Sequence, residues 1–242
     1  RPAIHEQNGV LGRVNRLVAD KVDAIATAYD EVDRLKPRHL DKVALVGNPV
    51  RDEVLALRSR PYPPLEPDGV FRLLVTGGSQ GATVLSTVVP EGLSLLPEEY
   101  HRRLQVTQQC RPEDIETVRE KYAGFGIPAE LATYLPDLPE RLAWSHLVIA
   151  RAGASRIAQL TAAGRPAILV PLPTATDNHQ VSNAREMARA GGPRQVGIGG
   201  AGAGAGGAGA EPVAHDRRVE GALLHHPRSR RRGRAPDRGT AA

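Results

Sequence analysis

Residues 71–85, FRLLVTGGSQGATVL, decide how the rest of the chain is read. Leu73, Leu74 and Val75 form a short apolar run of the kind that makes a buried strand, and Gly77, Gly78 and Gly81 turn the chain into a small-residue helix start. A strand that ends in a glycine turn and re-enters as a helix is a recurrent anion site. The first N–H groups of the helix have no internal partner, the helix dipole adds partial positive charge, and glycine lets a ligand approach the backbone.

Three readings compete for the turn. A Walker loop places Lys and then Ser or Thr after its last glycine; Ala82 and Thr83 follow Gly81, which excludes it. A dinucleotide fingerprint asks for G-x-G-x-x-G and an acidic residue about 20 positions on. Here the glycine spacing is wrong, and the next apolar run, 104–109, ends in glutamines. The third reading is that Gly77 to Gly81 spells G-x-S-x-G, the nucleophile elbow of serine hydrolases, in the strand-turn-helix context that motif needs. The residues alone therefore leave Ser79 as either a phosphate ligand or a nucleophile.

Downstream, strand signals at 104–108, 131–134, 147–150 and 167–170 alternate with helical periods at 82–95, 112–123, 138–144, 154–163 and 178–190. Such alternation predicts an α/β domain with a parallel sheet wrapped by helices. Ligands of these sheets sit beyond the carboxyl ends of the strands, here the loops that open at Gly77, Gln108, Tyr134, Arg151 and Pro171. Arg151 to Ser155 repeats the design of the first turn, and Ser155 either caps its own helix or faces an anion. Asp177, His179, Gln180 and Asn183 crowd hydrogen-bonding groups onto the last helix start, where a lone His is ordinarily a helix-surface residue.

Upstream, SRPYPPLEPD at 59–68 holds four prolines in ten residues and predicts a stiff linker between a first region, 1–58, and a second, 69–192. The first region shows an amphipathic helix near 12–19 and strands at 24–28 and 43–46. Its last strand runs into Gly47-Asn48-Pro49-Val50-Arg51, a sharp turn that presents an arginine. Asn48 and Arg51 read equally well as turn chemistry and a solvated charge.

The 242 residues are enough for one or two domains with a real core. The single cysteine, Cys110, precludes an intramolecular disulfide, and no apolar run approaches the roughly 18 residues of a membrane span, so a cytosolic protein is expected. The net charge of +5 resides in the tail: residues 1–192 carry 23 Lys and Arg against 23 Asp and Glu, residues 193–242 carry 9 against 4. The body offers no basic surface, and no nucleic-acid partner is expected. From Pro193 onward there are 11 glycines in 50 residues and no strand or helix period, which predicts a disordered tail. A frameshift near that point explains this composition better than a basic arm for anionic lipid or nucleic acid. The opening, HEQNGVLGRVNRL, reads as mid-domain sequence, and a preceding segment is expected.

Six blocks in one order, HEQNGVLGRVNRL, VGNPVR, LLVTGGSQGA, VTQQCR, RAGAS and AAGRPAILVPLPTATDNHQVSNA, resemble the MurG family of glycosyltransferases. The resemblance implies a GT-B fold, two Rossmann-like halves facing across a cleft. It also implies an inverting, metal-independent and cofactor-free transfer of N-acetylglucosamine from UDP-GlcNAc to undecaprenyl-pyrophosphoryl-MurNAc-pentapeptide in peptidoglycan synthesis. By the same resemblance, Gly78, Ser79 and Gln80 hold the UDP diphosphate with Arg51 across the cleft. The Leu135 backbone reads the uracil edge, Arg151 and Ser155 flank the nucleotide, His179 and Gln180 form a polar pair with Gln180 on the sugar hydroxyls, and Asn8 lies on the acceptor side. Ser79 then serves as a phosphate ligand that needs no partner base. The catalytic base of the family is a His in a glycine-rich N-terminal loop, which these residues do not include, so no catalytic residue is assigned to this chain. Attachment to the cytoplasmic face of the inner membrane would be peripheral, with the edge of the docking patch around Val10, Leu11 and 13–17. Three positions depart from the family pattern: Gln159 stands where a ribose-gripping Glu is usual, Arg156 where a Thr is, and Thr174 where a His is. The change at 159 implies weaker donor binding than a Glu would give. An α/β hydrolase that uses Ser79, and a non-catalytic UDP-binding remnant, are the alternatives to the transferase.

Overall fold

The computed structural model describes residues 1–78, 82–172, 176–189 and 194–195, all within one compact unit, Arg1–Ile198. Strands β1 (Ala3–Glu6), β2 (Ala24–Thr27) and β3 (Val43–Leu45), with helix α1 (Arg13–Val18) after the first, make a parallel sheet in the order β1-β2-β3 over a small core of Ala19, Val22 and Ile25. A short helix α2 (Asp52–Leu55) precedes β4 (Phe71–Thr76). There follow α3 (Thr83–Ser94), α4 (Glu98–His101), β5 (Leu104–Gln109), α5 (Ile115–Gly124), β6 (Ala129–Ala132) and α6 (Leu138–Trp144). The chain then runs through β7 (Leu147–Ala150), α7 (Ala154–Ala163), β8 (Ala167–Leu169), α8 (His179–Arg189) and β9 (Arg194–Gln195). Strands β4 to β9 pair in parallel in the order β6-β5-β4-β7-β8-β9. The expected α/β architecture, parallel strands alternating with helices, is what the chain adopts.

The apolar run that opened the reading explains how this second sheet is held. Successive side chains of a strand point to opposite faces. Leu73 and Val75 accordingly pack with Leu85, Val89, Val118 and Tyr122 of α3 and α5, while Leu74 packs with Leu142, Ile157 and Leu160 of α6 and α7. A strand covered on both sides has no polar face, hence the continuous run. Each fully buried leucine of this kind contributes about 1.5–3 kcal/mol. Helix α7 stops at Gly164, whose φ of 61° places it in the left-handed region that ends many helices.

Several expectations are corrected. Ala3–Glu6 is a strand although it was not read as one, because its partner β2 and the burial of Glu6, 2% exposed, come from tertiary pairing and not from local period. The strand expected at 131–134 lies at Ala129–Ala132. Past Pro193, where no strand is expected, the backbone of Arg194–Gln195 pairs with Ile168 and Leu169 of β8. The remainder of the tail lies outside the described residues.

The Pro-rich stretch at 59–68 is a packed strap and not a bare linker. The Tyr62 hydroxyl donates to the His146 carbonyl at 2.7 Å, the His146 ring contacts the Pro64 carbonyl at 3.1 Å, and Arg165 lies over the Tyr62 ring. Just before the strap, Val54 and Leu57 enter the core beneath α7. In the expected membrane patch, Val10 and Leu11 are buried, whereas Val14 and Leu17 on α1 are 72% and 78% exposed beside Arg13. Among the described residues no helix is long and apolar enough to cross a membrane.

Candidate functional site

The order of the second sheet reverses between β4 and β7, and in open parallel sheets that is where a crevice forms beyond the strand ends. A cleft of about 570 Å³ opens there. Its floor is the end of β4, Thr76 to Gly78, its wall is the β7–α7 turn from Arg151 to Arg156 with Gln159, and its far sides are Gln180 of α8 and Gln7 and Asn8 beyond β1. Gly78 has φ 92°, a conformation that favours glycine and brings backbone to the surface of the cleft.

The β1 side of the cleft is organised by Glu6. One carboxylate oxygen accepts from the Asn8 backbone N–H at 3.0 Å and from its side-chain amide at 3.1 Å; the other accepts from Gly12 N at 2.7 Å and from Asn15 Nδ2 at 2.9 Å. A buried carboxylate with four donors is satisfied without a cation, and it fixes the Gln7-Asn8-Gly9 turn. From the other side Asn183, fully buried on α8, accepts from Gly9 N at 2.7 Å and donates to Asn8 Oδ1 at 3.1 Å and to the Ala152 carbonyl at 3.2 Å. One amide thus ties the ends of β1 and β7 together.

A second cavity of about 170 Å³ adjoins the cleft and is lined by Arg51, Gln109, Leu135, Pro136 and Leu138. Thr76, Gly78, Arg156 and Gln159 line both. The Arg156 guanidinium donates to Gln159 Oε1 at 2.8 Å and to Thr76 Oγ1 at 3.2 Å, and Thr76 Oγ1 donates onward to Gln109 Oε1 at 3.0 Å. Burial pushes the Arg156 pKa down to about 10 and also lowers that of Arg151, whose Nε is buried with no hydrogen-bond partner among the described residues. Among the described residues that line the two cavities there are three arginines and no carboxylate. Such a surface is complementary to a polyanion with a neutral, partly apolar appendage.

The structure brings together most of the residues expected from the sequence. Asn8, Gly78, Arg151, Ser155, Gln159 and Gln180 line the larger cleft, and Arg51 and Leu135 join Gly78 and Gln159 at the smaller. Ser155 is not a cap: Gly153 is the N-cap of α7, no side-chain cap bond forms, and Ser155 is exposed to the cleft. His179 opens α8 and lines neither cavity, while Gln180 is buried and accepts from Leu172 N at 2.9 Å. Ser79, Gln80 and Thr174 lie outside the described residues. Glu6, Thr76 and Gln109 were not expected at the site; as polar side chains at the last positions of β1, β4 and β5 they are what an open parallel sheet presents to its crevice.

Residues 72–196 match the glycosyltransferase family 28 C-terminal domain. The chain belongs to that family. Its match spans β4 through β9, all of the six-stranded sheet but Phe71. Over 193 residues the chain is 66% identical to the UDP-N-acetylglucosamine--N-acetylmuramyl-(pentapeptide) pyrophosphoryl-undecaprenol N-acetylglucosamine transferase of Zymomonas mobilis, which covers 80% of this chain and 50% of that protein. It is 64% identical over 193 residues to the protein of the same name from Erythrobacter litoralis, covering 80% and 48%. The crystal structure of Acinetobacter baumannii MurG superposes with a TM-score of 0.63 at 26% identity, over 81% of this chain and 53% of that one. The chain thus spans about half the length of the curated relatives it matches. Within that span this family 28 chain contains both walls of the cleft described above.

Proposed function

We propose that the cleft binds the UDP-GlcNAc donor of a transfer that places N-acetylglucosamine on undecaprenyl-pyrophosphoryl-MurNAc-pentapeptide. The observation that carries the reading is the cleft at the β4/β7 divergence, lined by arginines and amides with no carboxylate among the described residues, in a chain 66% identical to a transferase of that name. In the proposed arrangement the diphosphate lies on the β4 turn, through Gly78, Ser79 and Gln80, and between Arg151 and Arg51. The uracil enters the smaller cavity at Leu135, the sugar faces Gln180 and His179, and the acceptor approaches from Asn8. When the glycosidic bond to phosphate breaks, negative charge grows on the departing diphosphate. Fixed N–H donors and guanidinium groups stabilise that charge without rearrangement at the moment of reaction. The attacking hydroxyl must also lose a proton to a base, and none of the residues above is assigned that role.

Because the acceptor is a membrane lipid, the protein would work peripherally at the cytoplasmic face of the inner membrane. The exposed Val14 and Leu17 beside Arg13 support that orientation. The serine-hydrolase alternative is not favoured, since the family and the relatives point to glycosyl transfer. Calorimetric titration with UDP, ADP and GDP tests the donor reading, with UDP expected to bind tightest. Equal affinity for all of them would overturn it. Transfer of labelled GlcNAc to the lipid acceptor then distinguishes an active transferase from a binding remnant.

A further inference from the structure

We infer that Arg156 is an anion-binding residue of the cleft, and that the neutrality of Gln159 keeps its charge available to the ligand. This deepens the reading of the cleft as a nucleoside-diphosphate site and rests on it for the identity of the nucleoside, though not for the anion. Arg156 stands in the first turn of α7, three residues before Gln159, so the two side chains share a helix face. It sits at the seam of the two cavities, with Thr76, Gly78 and Gln159. Among the described residues its two hydrogen bonds go to neutral oxygens, Gln159 Oε1 and Thr76 Oγ1. Among the described residues no carboxylate forms an ion pair with it.

Two bonds use two of the five N–H donors of a guanidinium. At neutral pH the group remains charged, since burial lowers its pKa only to about 10. A partly desolvated cation that meets only neutral acceptors is unfavourable in the empty protein and is relieved when an anion arrives. Gln159 decides whether that opportunity persists. A glutamate at this position, 2.8 Å from Nη1, would convert the hydrogen bond into an ion pair and neutralise Arg156 within the chain. The family resemblance implies that a carboxylate at 159 strengthens donor binding; the Arg156 contact gives the opposite sign.

The test is calorimetric titration of the 242-residue chain with inorganic pyrophosphate, UDP and uridine, for the wild type, Arg156→Thr, Arg156→Lys, Gln159→Glu and the Arg156→Thr/Gln159→Glu pair. Loss of one charge-assisted contact predicts that Arg156→Thr weakens UDP and pyrophosphate roughly 10- to 100-fold, with uridine changed less than about twofold. Arg156→Lys recovers part of the loss. Gln159→Glu weakens UDP on its own and has little effect once Arg156 is Thr. An equal loss for uridine and UDP in Arg156→Thr, or tighter UDP binding in Gln159→Glu, would overturn the inference. If Arg156→Thr folds poorly, Arg156→Gln, which removes the charge and keeps polar length, carries the same expectation. Should pyrophosphate follow the expected pattern while UDP binds no better than ADP, the donor reading fails and the Arg156 assignment stands. Should pyrophosphate be indifferent to Arg156, the assignment itself fails.

Discussion

Two groups of three arginines occupy this molecule, and their surroundings are opposite. Arg13, Arg16 and Arg34 converge on Asp177 at 3.7, 2.9 and 2.7 Å. Arg51, Arg151 and Arg156 line the cavities, where no carboxylate is among the described lining residues. The first group shares one carboxylate supplied by the chain and joins the region around the first sheet to the loop before α8. Arg34 and Asp177 both have positive φ there, 65° and 55°. Under the proposed reading the second group faces the ligand. The same side chain thus acts as a fastener in one place and, under the proposed reading, as a receptor in the other, and the deciding variable is the presence of an acid within reach.

Breaking the second group should leave folding intact and damage binding. Arg151→Ala is expected to weaken UDP roughly 10- to 100-fold in calorimetry, the cost of one charged contact. Its melting temperature should be unchanged or higher, because a buried, unpartnered Nε is removed. Breaking the first group should do the reverse. Asp177→Asn is expected to lower the melting temperature at low salt, less so at high salt where exposed pairs are screened, with a smaller change in UDP affinity than Arg151→Ala produces.

Acid is a milder form of the same intervention. Desolvation raises the Asp177 pKa, yet hydrogen bonds and charge from Arg34 and Arg16 outweigh it and hold the carboxyl below its usual range. A group whose folded pKa is depressed stabilises fully above its unfolded value, about pH 4, and the contribution is lost as pH falls through the folded value. Wild type should therefore lose melting temperature below about pH 4 more steeply than Asp177→Asn. The smallest effect is expected at Ser155, an exposed neutral donor in the cleft: Ser155→Ala should cost about twofold to tenfold in UDP affinity and nothing in stability. A loss at Ser155 equal to that at Arg151 would show that charge is not what distinguishes the cleft.

The parts of this arrangement that were legible in the sequence are those governed by local period. The β4 run and the α7 helix are readable because a doubly covered strand must be apolar throughout and a helix must repeat. Pairing partners leave no such trace, which is why Ala3–Glu6 and Arg194–Gln195 went unread: one is a strand by virtue of β2 and the other by virtue of β8. The strap at 59–68 shows a subtler failure. Its prolines announce stiffness, but the Tyr62 contacts with His146 and Arg165 depend on residues about 80 to 100 positions away, and the aromatic ring among the prolines was the only local hint. In the site, loop positions at strand ends were found by topology and family likeness. The Arg156–Gln159 contact was within reach of the (i, i+3) rule, while its extension to Thr76 and Gln109 required the fold.

The turn after β3 gives the cleft one more property. Val46 and Gly47 bond to the Thr27 carbonyl, and Asn48 donates to the Gln7 carbonyl at 3.1 Å, so the chain belongs to the first sheet up to that residue. Val50 already packs against the core of the second. Between the two anchors stands Pro49, whose ring fixes φ and removes one degree of backbone freedom. A connector this short makes every contact across the cleft intramolecular at an effective concentration in at least the millimolar range. The hydrogen bonds of Asn183 across the cleft then act between groups that the connector already holds close.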